Sequence, residues 1–181
     1  MFELKRNPEK LIIVGMGPGF ENCPEIADCE IWGLNDLIWP NYRKNLDKVF
    51  IMDVLDERPS VLSGGMKLID IIKQINLLKI PLIAPYKYEE ITTSEAFPIE
   101  ECVKEFGIPY FSNTIAYMIA YALLKGKKEI DIFGVNQASS SEYFYEKAGV
   151  EYWLGVANGR NVKMTIHGDK SELLTNKARF G

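Results

Sequence analysis

The chain has 181 residues, 47% hydrophobic and 25% charged, with a formal net charge of −4. That length suits one domain with a real core, and the acidic balance excludes the basic footprint by which proteins hold nucleic acid. Three cysteines, Cys23, Cys29 and Cys102, are odd in number and never spaced C-x-x-C, which excludes a disulfide framework and a structural zinc site. The N-terminus lacks an apolar stretch before a cleavage site, and no apolar run approaches the roughly 18 residues of a membrane span. The expectation is a soluble, cytoplasmic protein.

Leu11-Ile12-Ile13-Val14 is wholly apolar and runs into Gly15-Met16-Gly17-Pro18-Gly19-Phe20. An apolar run without polar alternation predicts a strand buried on both faces, as in a parallel sheet. Glycines after it let the backbone turn and come close to a ligand, and a helix starting there would aim its N–H groups at a phosphate. A nucleotide is the first ligand this suggests. Phe20 stands where the dinucleotide fingerprint requires glycine, and the P-loop lysine is absent.

Pro24 to Ala27 is predicted as a short helix, Glu30 to Asp36 as a second strand and Lys48 to Asp53 as a third. Ligands of open α/β sheets bind beyond the C-terminal ends of the strands. Gly15 to Gly19, Asn35, Asp36 and Asp53 would then share one rim, although Asn and Asp also end strands simply as turn formers. Gly64 and Gly65 precede an amphipathic helix carrying Leu68, Ile71, Ile72 and Ile75 on one face. Ile80 to Ala84 reads as a strand, residues 86–98 as an irregular connection, and Pro98 to Phe106 as a helix stopped by Gly107.

Ile115 to Lys125 is apolar nearly all round, the pattern of a buried helix. Ser112, Asn113 and Thr114 are candidate N-caps, and they stand at the positive end of that helix, where an anion is welcome. Gly126 stops the helix. Glu129 to Val135 is a strand, with Asn136 and Gln137 at its end. A loop follows over 138–141. Glu142 to Gly159 has helical character but contains Gly149 and Gly155, which predicts two helices or one broken helix. Lys163 to Ile166 is the last strand, with His167-Gly168-Asp169 beyond it. Strands alternating with helices make this an α/β protein, a single Rossmann-like domain over 1–181 with a mostly parallel sheet and helices on both faces. Residues 171–181 are its closing turn and tail.

The ordered pieces resemble a superfamily. They are Leu11 to Phe20, Ile31-Trp32-Gly33-Leu34-Asn35, Phe111-Ser112-Asn113-Thr114-Ile115-Ala116, and Leu123 to Asn136 with its Gly126-Lys127-Lys128-Glu129-Ile130 core. Glu151-Tyr152-Trp153-Leu154-Gly155 and Ser171-Glu172-Leu173-Leu174 match its later segments. The superfamily contains the bacterial lipooligosaccharide-type sialyltransferases, the archaeal 6-hydroxymethylpterin diphosphokinase-like proteins and phage-encoded proteins of unknown role. The resemblance implies a nucleotide held by Gly15, Gly17, Pro18, Asn35, Ser112 and Asn113, with Gly19 and Asn136 on the same rim. Gly19 replaces the family's serine, and Asn136 replaces an aspartate.

Two classes of function follow. One is a transferase that moves a glycosyl or diphosphate group from a nucleotide or nucleotide-sugar donor. Asp53 or Glu142 would act in it as base or metal ligand, and His167, the sole histidine, is the other candidate base. Diphosphate transfer would bring Mg²⁺ with the nucleotide. Tyr143, Tyr145 and Tyr152 would meet the acceptor or simply pack. The other class is a non-catalytic nucleotide-binding or assembly protein. A Rossmann-type dehydrogenase is a third and weaker option, because the glycine spacing departs from its fingerprint. The aromatic stretch Tyr143 to Trp153 and the Trp39-Pro40 loop are candidates for a homodimer surface or for internal packing.

Overall fold

Short apolar runs become strands and the longest becomes a buried helix, and among the described residues all the strands run parallel. The computed structural model describes residues 5–42, 45–55, 68–137, 141–168 and 171–174, without the side chains of 141–144. Its strands are β1 (Lys10–Val14), β2 (Glu30–Leu34), β3 (Lys48–Phe50), β4 (Leu82–Ala84), β5 (Ser94–Ala96), β6 (Glu129–Phe133) and β7 (Lys163–His167). They form one sheet in the order β5-β4-β3-β2-β1-β6-β7. The helices are α1 (Leu68–Leu78), α2 (Ile99–Phe106), α3 (Thr114–Leu124) and α4 (Ser141–Gly159). The chain winds outward from β1 to β5, then returns through α2 and α3 to place β6 on the other side of β1. Strand order therefore reverses between β1 and β6.

Alternate residues of each strand feed opposite layers. Leu11, Ile13, Ile130 and Ile132 join the buried faces of α3 and α4. Val49, Ile51, Leu82 and Ala84 pack on the other face against Ile71 and Ile75 of α1. Ile12, Val14, Ile31 and Phe133 share that face, covered by Cys23, Cys29 and Leu46 and by Leu37 of a 3-10 turn at Asn35–Ile38 rather than by an α-helix. Trp32 anchors the α3 side, its ring centroid 5.5 Å from those of Phe50 and Tyr121. Each fully buried side chain of this size contributes roughly 1.5–3 kcal/mol of hydrophobic stabilisation.

The Rossmann-like α/β architecture read from the sequence is the one observed, with helices on both faces, and the sheet expected to be mostly parallel is parallel throughout the described residues. Four local expectations are corrected. Pro24 to Ala27 is not helical; a 3-10 turn occurs earlier, at Phe20–Asn22. Cys23 ends it in an extended conformation (φ −62°, ψ 129°), as the residue before a proline is driven to do. Residues 86–98 contain β5, whose Ser-Glu-Ala sequence has no strand signature. Pairing makes it a strand: Leu82 N–H donates to the Thr93 carbonyl at 3.1 Å, and Phe97 N–H to the Ala84 carbonyl at 2.7 Å. Helix α4 is continuous through Gly149 and Gly155. His167 is the last residue of β7 rather than a loop residue. Gly64 and Gly65 before the expected helix, residues 138–140 of the expected loop, Asp169 and residues 175–181 lie outside the described residues.

Candidate functional site

In a parallel sheet all the C-terminal strand ends share one rim, and the crevice where strand order reverses is the favoured place for a ligand. Here that place lies over β1 and β6, and the glycine turn stands on it. Gly15 N–H donates to the Phe133 carbonyl at 2.8 Å and Gly17 N–H to the Gly134 carbonyl at 2.7 Å. The β1–β6 ladder thus continues beyond both strand ends. A Cβ on Gly15 would lie 2.4 Å from the Gly134 carbonyl oxygen, and one on Gly17 would lie 2.9 Å from it. Gly134 itself has φ +63°, and its Cβ would meet that of Phe20 at 2.6 Å. The glycines let one backbone lie directly on another, forming a closed seam. Pro18 is exposed at the crest of the turn. Gly19 has φ +94°, and its N–H donates to Glu21 Oε2 at 3.1 Å.

Polar side chains flank the seam. Asn35 follows β2 with φ 45°, and Gln137 follows β6 with φ 49°. Both occupy the left-handed region, which glutamine avoids and asparagine tolerates better than most residues. Asn35 Oδ1 and Gln137 Oε1 are buried without a hydrogen-bond partner. An unpaired buried acceptor costs about 1–3 kcal/mol. Left-handed backbone and an unsatisfied buried oxygen thus coincide at both residues. Gln137 was not among the site residues expected from the sequence. The available signal was its place at a strand end beside the glycine turn.

Asn136 lies against the seam, its Cγ 3.5 Å from where a Gly17 Cβ would be. The closing turn fastens it from behind. Glu172 N–H donates to the Asn136 carbonyl at 2.8 Å, and Ser171 Oγ to the Val135 carbonyl at 2.9 Å.

Ser112 and Asn113 serve helix packing directly. Asn113 caps α3, its Oδ1 accepting from Ala116 N–H at 3.0 Å. Its Nδ2 donates to Glu146 Oε2 at 3.2 Å, and Ser112 Oγ donates to the Glu146 carbonyl at 2.7 Å. A carboxylate of α4 therefore sits at the positive end of α3, as an anion is expected to do.

Asp53 lies beyond β3 and is exposed. Desolvation of its remaining surface pushes its carboxyl above the ordinary carboxylate range. Glu142 heads α4, with its side chain outside the described residues. Tyr152 is half-buried, packing edge-on to Tyr110 and Trp153 at 5.4 Å, whereas Tyr145 is exposed.

His167 closes β7 in register with Phe133. Its ring stacks flat on that of Phe133 at 4.1 Å, and Nε2 lies 3.0 Å from Asp131 Oδ1. It occupies the sheet face opposite α3 and α4. Gly15, Gly17 and Asn136 thus meet at the seam, while Asn35 and Gln137 follow β2 and β6 at the same end of the sheet. Ser112 and Asn113 lie on the α3–α4 side, and His167 lies one strand beyond the seam on the other face.

Among the described residues no group of three or more His, Cys, Asp or Glu side chains converges as a metal site. A cavity of about 350 Å³ lies at the opposite edge of the sheet, lined by Arg6, Asn45, Asp47, Leu46, Ile31 and Ile80. Its Asp47 is a brace, accepting from Ile31 N–H at 2.9 Å and pairing with Arg6. Among the described residues no helix is long and apolar enough to cross a membrane.

These features define a class: an open, doubly wound α/β protein presenting strained amides and a glycine turn where its strand order reverses. Its backbone is similar to solved sialyltransferases. One is an α-2,3-sialyltransferase of Campylobacter jejuni in apo form, 18% identical over 93% of this chain and 79% of that one, with a TM-score of 0.58. A second is the Campylobacter jejuni sialyltransferase CstII in complex with CMP-3FNeuAc, 16% identical over 87% of this chain and 80% of that one, with a TM-score of 0.58. A third is sialyltransferase CST-II in complex with a trisaccharide acceptor and CMP, 14% identical over 93% of this chain and 89% of that one, with a TM-score of 0.57. No protein-family model and no curated protein sequence matches the chain. At these identities the likeness is one of fold.

Proposed function

We propose that the protein binds a nucleotide sugar on this rim and transfers its glycosyl group to an acceptor hydroxyl. The observation that carries the proposal is the pair of buried, unpartnered oxygens, Asn35 Oδ1 and Gln137 Oε1, on either side of the seam. Amide oxygens accept N–H and O–H donors, which a nucleobase amino group and ribose hydroxyls supply. The shared fold supports the choice of nucleotide, because the similar structures include complexes with CMP and with CMP-3FNeuAc. In this reading Gly15, Gly17, Pro18 and Gly19 form a low floor, Asn35 and Asn136 hold the nucleotide, and Ser112 and Asn113 keep the N-terminus of α3 against it.

Transfer needs a base to take the acceptor proton. The acceptor oxygen then bonds to the sugar carbon while the bond from that carbon to the phosphate oxygen breaks, and the nucleotide leaves with the electron pair. His167, Asp53 and Glu142 are the candidate bases. A Mg²⁺ carried by the donor phosphates takes only one or two protein carboxylates, and Asp53 is the exposed carboxylate beyond β3. A cytoplasmic setting accords with Cys23, Cys29 and Cys102 all being buried thiols.

A second reading, nucleotide binding without turnover, is favoured by one specific feature. Glu146 and Glu21 already place carboxylates on the Asn113 amide and the Gly19 N–H.

Isothermal titration with CMP, UDP, GDP and their sugar conjugates, followed by mass spectrometry of the incubated mixtures, separates these readings. Binding with release of free nucleotide in the presence of a sugar acceptor is the expected result. Binding with the donor intact supports the second reading. No binding by any of them at millimolar concentration sinks both.

A further inference from the structure

We infer that Asp131 and His167 form a carboxylate–imidazole dyad in which Asp131 is the positioning residue that makes His167 a base through its Nδ1. The inference rests on the transferase reading for the identity of the proton donor, and on geometry for the dyad itself. Asp131 and Phe133 lie on one face of β6, and His167 lies opposite Phe133 on β7. The imidazole is fixed in two independent ways. Its plane is set by Phe133, parallel to within 1° at 4.1 Å. Its rotation about that stack is set by the 3.0 Å contact of Nε2 with Asp131 Oδ1. The carboxylate is itself held, since Lys10 Nζ lies 3.6 Å from its other oxygen, and its side chain is only 15% exposed.

An ionised carboxylate only accepts hydrogen bonds. The contact therefore requires the proton on Nε2, and the neutral ring then carries its lone pair on Nδ1. Close by, Glu129 pairs with Lys163 at 3.1 Å and stands 3.9 Å from Lys10, which Asp28 also faces electrostatically. The imidazole keeps 38% of its side-chain surface open. The strand that aligns it also carries the seam, for the Phe133 carbonyl accepts the Gly15 N–H. In the transfer step the acceptor O–H bond breaks, its proton forms a bond to Nδ1, and the oxygen bonds to the donor sugar as the nucleotide departs. A ring held by its stack and by a carboxylate at the second nitrogen needs no reorientation to do this.

The chain contains one histidine, so its ring nitrogens give unambiguous NMR signals. Long-range ¹H–¹⁵N spectra of the neutral ring are expected to show a protonated Nε2 and an unprotonated Nδ1 in the wild type. Asp131→Asn, which keeps an acceptor oxygen, should preserve this tautomer. Asp131→Ala should relax it toward the mixture of a free imidazole. An Nδ1–H tautomer in the wild type overturns the dyad, and that reading needs no variant to fold. An unchanged tautomer in Asp131→Ala overturns it as well. In turnover, Asp131→Ala should lower kcat by ~100-fold, the low end of general-base contributions, with KM for the donor unchanged. An unchanged kcat overturns the role of base. Failure of the wild type to bind any nucleotide removes the transferase reading and the proton donor named here, while the tautomer result stands on its own.

Discussion

Gln137 holds a left-handed backbone conformation that costs an ordinary residue about 1–2 kcal/mol, whereas Asn35 is of a type that visits it more readily. Glycine carries no such penalty. Gln137→Gly removes both the strain and the unpartnered oxygen, so the free protein should gain about 1 kcal/mol in urea unfolding. If Gln137 Oε1 receives the nucleotide, affinity should fall about tenfold, the worth of one hydrogen bond near 1.4 kcal/mol. Lower stability with unchanged affinity would contradict that role for Gln137. At this scale the sequence shows position along a strand but not orientation. Asn35 and Asn136 were legible because each ends an apolar run. Asp131 was not, because Glu-Ile-Asp-Ile-Phe reads as a strand with a solvent-facing acid, and its partner is 36 residues away.

Helix α4 shows how two identical residues serve different ends. A Cβ on Gly149 would lie 2.0 Å from Ser112 Oγ, whereas one on Gly155 meets nothing within 4 Å. Gly149 is the notch through which the Ser112 hydroxyl reaches the Glu146 carbonyl. Gly149→Ala should destabilise the protein by about 1–3 kcal/mol, the usual result of overpacking, while Gly155→Ala should stabilise it by up to about 1 kcal/mol through helix propensity. Thermal unfolding of the two variants side by side checks both signs. Asn113→Ala should cost about 1 kcal/mol through removal of the cap, and it also takes away the amide that donates to Glu146. Elements with their own signature, such as β1, α3 and β6, were legible from composition and periodicity. The three residues of β5 and the continuity of α4 were not, because each depends on a partner distant in sequence: β4 for the strand, Ser112 for the helix.

The whole sheet was legible as a class because buried parallel strands must be apolar throughout. Their spatial order was not, since nothing in β6 says which side of β1 it will join. Burial also sets how the molecule responds to alkali. The Cys29 and Cys102 thiols are pushed up to about 11 and the Tyr121 phenol to about 12, in each case first by desolvation. The unfolded chain releases these protons earlier, from about pH 9 for the thiols and about pH 10 for the phenol. It then holds fewer protons than the native state, so stability should fall as pH rises through about 9 to 11 and further toward 12. Cys102→Ala should make that decline shallower by about one proton in denaturant titrations across the range. The seam between β1 and β6 has a consequence for motion. Turns over a binding rim ordinarily exchange their amide hydrogens quickly, since local opening exposes them. The Gly15 and Gly17 amides bond to carbonyls of the neighbouring central strand, so they should exchange as slowly as Ile12 and Ile13, in one cooperative unit with the middle of the sheet. If the proposed donor binds here, adaptation to it falls to the segments on either side, and the floor beneath it stays rigid.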